Sequence, residues 1–489
     1  MRRQPAPSPR RRADPAPTVP AAPVTVELAD ALVLGAGMSG LAAAHALLRA
    51  GRRPLVLEAG ECPGGAMATA ASAGFLIELG PNTVQEAPAL RELAAAAGCA
   101  GELIPAAPAA RRRFVVHHGR LVALPAGPRG LLTSPLLSWR GKARLATEPW
   151  RRRGPGPHES LAAFFGRRLG GEVLPLADAI GLGIYAGDPE ELAVGYAFSR
   201  AYSLEHEHGS LVRGMLHATR RSSRAAPGRP RGGRRLIAYR GGFAELARRL
   251  AQGLEVRYGC AVQLAIREGG AFTVRAAQGG RRLLLAAPRL VSALPAAATA
   301  SVLAGLASGA AGAGGAAAGG DAVPASLAAI AGIPHAPVAV VALGYDRGQV
   351  LHPLDGFGFL APHREGRRIL GCLFSSTLFP DRAPAGRVLL TVMVGGRRRA
   401  ALVELADAEL AGLAHGELAE LLGIRGQPAP VLVRRWQPGI PQPDARWPEA
   451  RDAAAALARA HPGLTVLGNW LHGVGLPDCA RAGWEMPPC

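Results

Sequence analysis

Residues 31–58 read ALVLGAGMSGLAAAHALLRAGRRPLVLE. An apolar run, 31–34, turns through three glycines into an alanine-rich helix, and a second apolar run, 55–57, ends on Glu58. Each glycine has its own task. Gly35 permits the tight turn, Gly37 lets the backbone approach a pyrophosphate, and Gly40 lets helix pack closely on strand. Ala36, Met38 and Ser39 complete the loop, and the helix N-terminus offers its unpaired N–H groups to phosphate charge. Glu58 lies 18 residues past Gly40, at the end of the second strand, where a carboxylate accepts hydrogen bonds from ribose hydroxyls. With 64 glycines in 489 residues a bare GxGxxG would say little; strands, helix and acid in the required order predict an adenine dinucleotide with an unphosphorylated ribose.

Composition narrows the class. Hydrophobic residues make up 49% of the chain, enough for large cores, and the length suits several domains. The formal charge of +20 is almost wholly arginine, Lys142 being the single lysine, and fits a GC-rich coding bias. Only 5% of residues are aromatic, too few for the base-stacking surface of a single-strand binder, so no nucleic-acid partner is expected. An anionic membrane surface is the better match for the charge. No apolar run approaches the length of about 18 residues that a spanning helix needs, so any membrane contact should be peripheral. The six cysteines form no CxxC pair, which suits a reducing compartment.

Residues 1–23, rich in Arg and Pro, read as a disordered leader, with a transit peptide as the alternative. Residues 24–110 form the first part of the nucleotide-binding domain, including Ala59, Gly65 and a second glycine turn at Gly80-Pro81-Asn82-Thr83. Residues 111–129 alternate as a hairpin with His118-Gly119 at its turn. Residues 130–220 become helical, with segments expected near 139–147, 160–169, 173–182 and 207–217, and 221–235 form a basic loop. The nucleotide domain resumes over 236–304, and a Gly/Ala low-complexity insertion occupies 305–325. Over 326–426 four apolar segments, 338–343, 358–360, 369–374 and 388–394, precede a helix at 403–422, predicting an antiparallel sheet with a covering helix. Residues 427–489 return to the nucleotide domain.

That return decides between cofactors. An NAD enzyme rarely needs a late glycine-rich turn, whereas a flavin fold brings one against the ribityl chain and ring. Val474-Gly475-Leu476-Pro477-Asp478 fits such a turn, with Asp478 placed to cap a helix. FAD is favoured.

Further motifs are GPN at 80–82, IYAGDPEEL at 184–192, EHGS at 207–210, SSTLFPDRAP at 375–384, GIPQ at 439–442 and GNWLHGVGLPDC at 468–479. With these the chain, over roughly 31–483, resembles the protoporphyrinogen oxidases of the FAD-dependent amine-oxidase superfamily. The resemblance implies a Rossmann-like α/β FAD-binding domain, an antiparallel-sheet substrate domain and an inserted α-helical membrane-associating domain. FAD would be held by Gly35, Ala36, Gly37, Met38, Ser39, Gly40, Glu58, Ala59, Gly65, Ala66, Gly80, Pro81, Asn82, Thr83, the strand backbone of Val262, Trp436, Val474, Gly475 and Leu476. Arg113 matches a propionate-binding arginine, and Ile180, Gly183, Phe357, Gly358, Leu360 and Met393 match an apolar porphyrinogen pocket. A guanidinium suits a carboxylate because it presents paired donors in one plane.

The activity so implied is oxidation of protoporphyrinogen IX to protoporphyrin IX with O2 as acceptor, on the porphyrin route to haem and chlorophyll. No side-chain acid or base stands out. The implied setting is the periphery of a plastid or mitochondrial membrane in a eukaryote, or the cytoplasmic face of the inner membrane in a bacterium, with a homodimer left open. Glu205-His206-Glu207-His208 tempts a metal reading, but ligands two apart spread around a helix, and no metal is expected.

Three departures stand out: Ala66 where an arginine is common after GG, Pro443 and Arg446-Trp447 where the family writes IPQY and GH, and only 11 residues after Asp478. The last leaves two expectations open, a truncated sequence or a weaker flavin binder. The rivals are a coproporphyrinogen III oxidase, which needs extra pocket cations, an amine oxidase, whose flavin-side lysine Lys142 is badly placed to supply, and a catalytically silent membrane-surface flavoprotein.

Overall fold

The computed structural model describes residues 26–125, 127–223, 235–307 and 323–487. The expected leader, nearly all of the basic loop and most of the Gly/Ala insertion lie outside the described residues. Five short strands form a wholly parallel sheet in the order Glu255–Arg257, Pro54–Leu57, Ala31–Leu34, Leu290–Ser292, Leu464–Val466. Both faces are covered, which is why the central strands Ala31–Leu34 and Pro54–Leu57 are continuous apolar runs. Ala31 and Val33 point into one core with the helices Met38–Arg49, Phe243–Ala251 and Leu476–Trp484. Leu32 and Leu34 point into the other, against a four-stranded sheet of Val26–Leu28, Arg281–Ala287, Ala271–Gln278 and Cys260–Glu268.

The second large unit is a seven-stranded sheet, in the order Val431–Pro441, His335–Asp346, Arg387–Gly395, Ile369–Leu373, Gly358–Leu360, Phe114–His117, Arg120–Ala123. Its pairs are antiparallel except that Phe359 and Leu360 run parallel to Phe114 and Val115. The hairpin expected at 111–129 is therefore the edge of this sheet. His118 (φ 50) and Gly119 (φ 72) both adopt positive φ, the turn that matches strand twist. One face, carrying Ala339, Val341 and Leu343, is sealed by the helix Asp407–Leu422. That helix begins four residues later than the expected 403, after 3-10 turns over Arg397–Glu404.

The opposite face, carrying Val338, Val340 and Val115, lies under the helix Leu174–Tyr185. This crossing helix starts with Pro175 in its first turn, a position where the missing N–H costs nothing, and ends at Ala186 in the left-handed region (φ 47). It belongs to the helical insert with Trp139–Ala146, Leu161–Leu169, Ser199–His208 and Leu211–Ser223. The helix expected over 207–217 is in fact two, because Gly209 (φ 70) breaks the chain between the last pair. Glu205, in the sequence that suggested a metal, is engaged by the guanidinium of Arg167 at 2.7 Å.

Candidate functional site

The two glycine-rich turns converge at the C-terminal edge of the parallel sheet, where ligands of open α/β folds bind. Gly35 holds φ +95. A Cβ on Gly40 would lie 1.9 Å from the Gly35 carbonyl oxygen, so only glycine permits the helix to start so close to its own strand. A Cβ on Gly37 would meet nothing within 4 Å, which leaves that backbone open to a ligand. No side chain caps the helix Met38–Arg49. Met38 and Ser39 are buried beneath the turn.

Glu58 links the turn to the second strand. Its Oε2 accepts the Ala36 N–H at 2.7 Å and its Oε1 accepts the Gly60 N–H at 2.8 Å. Each carboxylate oxygen keeps a further lone pair for a hydroxyl donor. The Cys260 N–H donates to the Glu58 carbonyl at 2.8 Å, so the strand Cys260–Glu268 sets off from Glu58 and carries half-buried Val262 at a bulge two residues on.

The GG turn is pinned to the same loop, since the Gly64 N–H donates to the Ala36 carbonyl at 2.9 Å. Ala59, Gly65 and Ala66 are exposed around it. Gly80 crosses Ala66 so closely that a Cβ would sit 1.8 Å from its carbonyl oxygen. Pro81, Asn82 and Thr83 follow, half-buried, with the Thr83 hydroxyl donating to the Ile237 carbonyl at 3.2 Å. Trp436 reaches the same stretch, its indole N–H donating to the Leu79 carbonyl at 2.7 Å.

The late turn arrives from 440 residues away. The helix there is Leu476–Trp484, with Gly475 at its cap and Asp478 inside its first turn, so the capping role expected for Asp478 falls to Gly475. The helix is short but firmly docked. A Cβ on Gly483 would lie 2.4 Å from the Ser39 carbonyl oxygen, Arg49 donates to the Trp484 carbonyl at 3.0 Å, and the Trp484 indole donates to Glu92 at 2.9 Å. Val474 stands on the other side of the turn, packed with Ile440 against the helical insert.

Of the expected pocket residues, Leu360 and Met393 lie on the sheet face below the crossing helix, Ile180 and Gly183 belong to that helix, and Phe357 packs against the nucleotide-domain core. At the edge, the Arg113 guanidinium stands 5.0 Å from the centre of the Phe357 ring. Phe357 is fixed there by its N–H to the Arg112 carbonyl at 2.7 Å. Gly358 (φ +133) lies where a Cβ would fall 2.1 Å from the Cys372 carbonyl oxygen, and Leu360 reaches up to within 3.0 Å of where a Cβ of Gly183 would be. Ile180 is 42% exposed and shares the helix face of Gly183 and Ile184, three and four residues on. Met393 packs with Leu182 and Trp436 at the far end. These residues thus follow one another from a cation, past apolar side chains, to the tryptophan beside the glycine turns.

Sequence reasoning missed the ionic group behind this wall. Arg398 bridges Asp178, on the crossing helix, and Asp188, just past it, at 3.1 and 2.6 Å. Burial pushes the Asp178 carboxyl above its ordinary range, opposed by the His363 N–H and by Arg398. Burial also pushes Tyr185 up to about 12, with the Asp478 carboxylate adding to it.

A family model described as flavin containing amine oxidoreductase matches residues 38–486. The chain belongs to that family. This flavin oxidoreductase is 30% identical over 473 residues to the chloroplastic protoporphyrinogen oxidase of Nicotiana tabacum, covering 94% of this chain and 84% of the relative. It is 32% identical over 484 residues to the protoporphyrinogen oxidase of Bos taurus, covering 92% and 96%. Among solved structures, a protein of Exiguobacterium sp. 255-15 provisionally named a protoporphyrinogen oxidase aligns over 95% of this chain and 98% of its own, with TM-score 0.74 and 23% identity. The cyclohexylamine oxidase of Brevibacterium oxydans IH-35A aligns over 95% and 98% at TM-score 0.64 and 18% identity, a likeness of fold alone. FAD is the cofactor, and the open backbone at Gly37 with the outward lone pairs of Glu58 fits it. Among the described residues no helix is long and apolar enough to cross a membrane.

Proposed function

We propose that the chain oxidises protoporphyrinogen IX to protoporphyrin IX, a six-electron change, with dioxygen as final acceptor and hydrogen peroxide as by-product, in porphyrin biosynthesis. The observation that carries this is the order of side chains across the seven-stranded sheet: Arg113 beside Phe357 at one end, Leu360 against Gly183 midway, Met393 and Trp436 at the other. Between the strand of Met393 and the strand that Arg113 precedes lie three inter-strand steps, about 14 Å at the usual spacing, a span suited to a flat macrocycle.

FAD, when bound, supplies the redox chemistry. The chain's own residues bind and orient. Arg113 pairs with a propionate through its planar donors, Phe357, Leu360 and Met393 bury the macrocycle and exclude water, and Gly183 and Gly358 let the crossing helix and the neighbouring strand approach closely. We place the flavin against residues 35–40, Glu58, the turn at 80–83, Val262, Trp436 and the turn at 474–476. Arg112, next to Arg113, already pairs with Asp355.

Peripheral membrane association belongs to the same proposal. In the helical insert Leu132, Trp139, Trp150, Met215 and Leu216 are more than half exposed, and the Lys142 ammonium sits 4.6 Å from the Trp139 ring centre. Apolar side chains set among cations suit an anionic bilayer.

The test is to purify the chain in mild detergent, record its flavin absorbance, and follow porphyrin fluorescence from both porphyrinogens with and without air. Oxygen-dependent fluorescence from protoporphyrinogen IX is expected. None from either substrate sinks the reading, and gain only from coproporphyrinogen III replaces it with the rival. Flotation with anionic liposomes is expected at low salt; protein that stays at the bottom removes the membrane proposal.

A further inference from the structure

Three elements carry the residues expected to contact substrate: the crossing helix with Ile180 and Gly183, the strand Gly358–Leu360, and the strand Arg387–Gly395 with Met393. One buried group touches the chain segments of all three. Asp178 lies in the second turn of the crossing helix, on the side away from Ile180 and Gly183, with its side chain 9% exposed. Its Oδ2 accepts the backbone N–H of His363, three residues past Leu360, at 2.6 Å. Its Oδ1 accepts from Arg398, three residues past Gly395, at 3.1 Å. The second arm of the same guanidinium donates to Asp188 at 2.6 Å.

The turn before Arg398 grips the helix again. The Arg397 N–H donates to the Ala186 carbonyl at 2.8 Å, and Gly396 (φ +78) approaches so closely that a Cβ would lie 2.7 Å from that oxygen. Charge-assisted hydrogen bonds in a water-poor site are short, directional and strong. Two carboxylates straddling one planar guanidinium fix both the height of the helix over the sheet and its rotation.

We propose that Asp178 and Arg398 are positioning residues that set the gap between the crossing helix and the substrate sheet, and so determine how well a macrocycle fits it. The proposal rests on the substrate reading above. Neither residue is placed against substrate or flavin. Loosening them lets the Gly183 and Ile180 face drift while leaving the flavin loops untouched, so the defect falls on substrate binding.

The experiment compares Arg398→Met, Arg398→Lys and Asp178→Asn with the full-length parent, each as flavin-loaded protein. In Arg398→Met, which removes both charge-assisted contacts, KM for protoporphyrinogen IX is expected to rise about tenfold or more, with kcat and flavin absorbance near parental. Arg398→Lys should recover part of the rise. Hydrogen–deuterium exchange without substrate should show deprotection confined to residues 174–188. An unchanged KM, or a loss of kcat together with flavin, overturns the proposal. Should the parent fail to oxidise any porphyrinogen, the substrate reading falls, and exchange still decides the clamp: local deprotection supports it, while no change or deprotection across the whole chain overturns it.

Discussion

Glu148 is the most demanding polar group in the helical insert. Neither it nor Arg168 has any exposed surface, and the two are paired. The carboxylate also accepts from the Ser210 hydroxyl at 2.5 Å and from the Leu211 and Val212 N–H groups at 2.9 and 3.2 Å, so it caps the helix Leu211–Ser223 from outside that helix. Glu148→Ala leaves the buried Arg168 with only Glu205, at 3.4 Å, and backbone carbonyls, so it should cost about 3 kcal/mol, while Ser210 still caps the helix through the Arg213 N–H. Glu148→Gln keeps an acceptor and loses the charge, so it should cost about half as much. Against a total stability of about 5–15 kcal/mol, the alanine variant should melt the insert first. The pH sign follows from the same contacts. Burial alone would raise the Glu148 carboxyl, but Ser210, the two amides and Arg168 outweigh it and hold it below its ordinary value of 4.5. Its contribution is therefore present above about 4.5 and is lost as pH falls through the lowered value. Urea titration with exchange mapping of residues 139–218 is the assay. A cost for Glu148→Ala below about 1 kcal/mol would refute the argument, as would a Glu148→Leu/Arg168→Met pair no more stable than Glu148→Ala alone.

Two more outcomes test the cavity. Gly40→Ala puts a methyl 1.9 Å from the Gly35 carbonyl oxygen; overpacking of about 1–3 kcal/mol should cut flavin affinity about tenfold or more, read as absorbance per protein after dialysis, and full retention would disprove the close approach. Arg113→Ala should raise KM for protoporphyrinogen IX about 10- to 100-fold with little change in kcat, and Arg113→Lys should fall between; an unchanged KM would remove Arg113 from the site.

Local signals were readable and distant ones were not. The span 31–58 declared a strand, a helix and an acid because each glycine there answers to a neighbour within a few residues. The hairpin at 111–129 was equally clear as a hairpin, yet its place in the seven-stranded sheet depends on Phe359 and Leu360 lying beside Phe114 and Val115, about 245 positions away. The strand Val431–Pro441 was overlooked because Arg434, Arg435, Gln437 and Pro438 spoil any apolar alternation; it is an edge strand, half in solvent. The break at Gly209 was invisible in a sequence otherwise suited to one helix. Pocket residues came from resemblance, since nothing about Met393 or Leu360 alone distinguishes a wall from a core. Asp178 looked like a stray acid in an apolar helix, and Arg398 like one of three consecutive arginines.

The docking of Leu476–Trp484 on Met38–Arg49 has a consequence for how the protein comes into being. A ribosome delivers the dinucleotide loop first, and the partner that packs on Ser39 and Leu41 follows it by more than 430 residues. Closing so long a loop is slow compared with forming local helices and hairpins. The nascent chain therefore carries a half-built nucleotide site until Leu476–Trp484 has been made and has docked, and a cofactor that needs both turns is captured only after that.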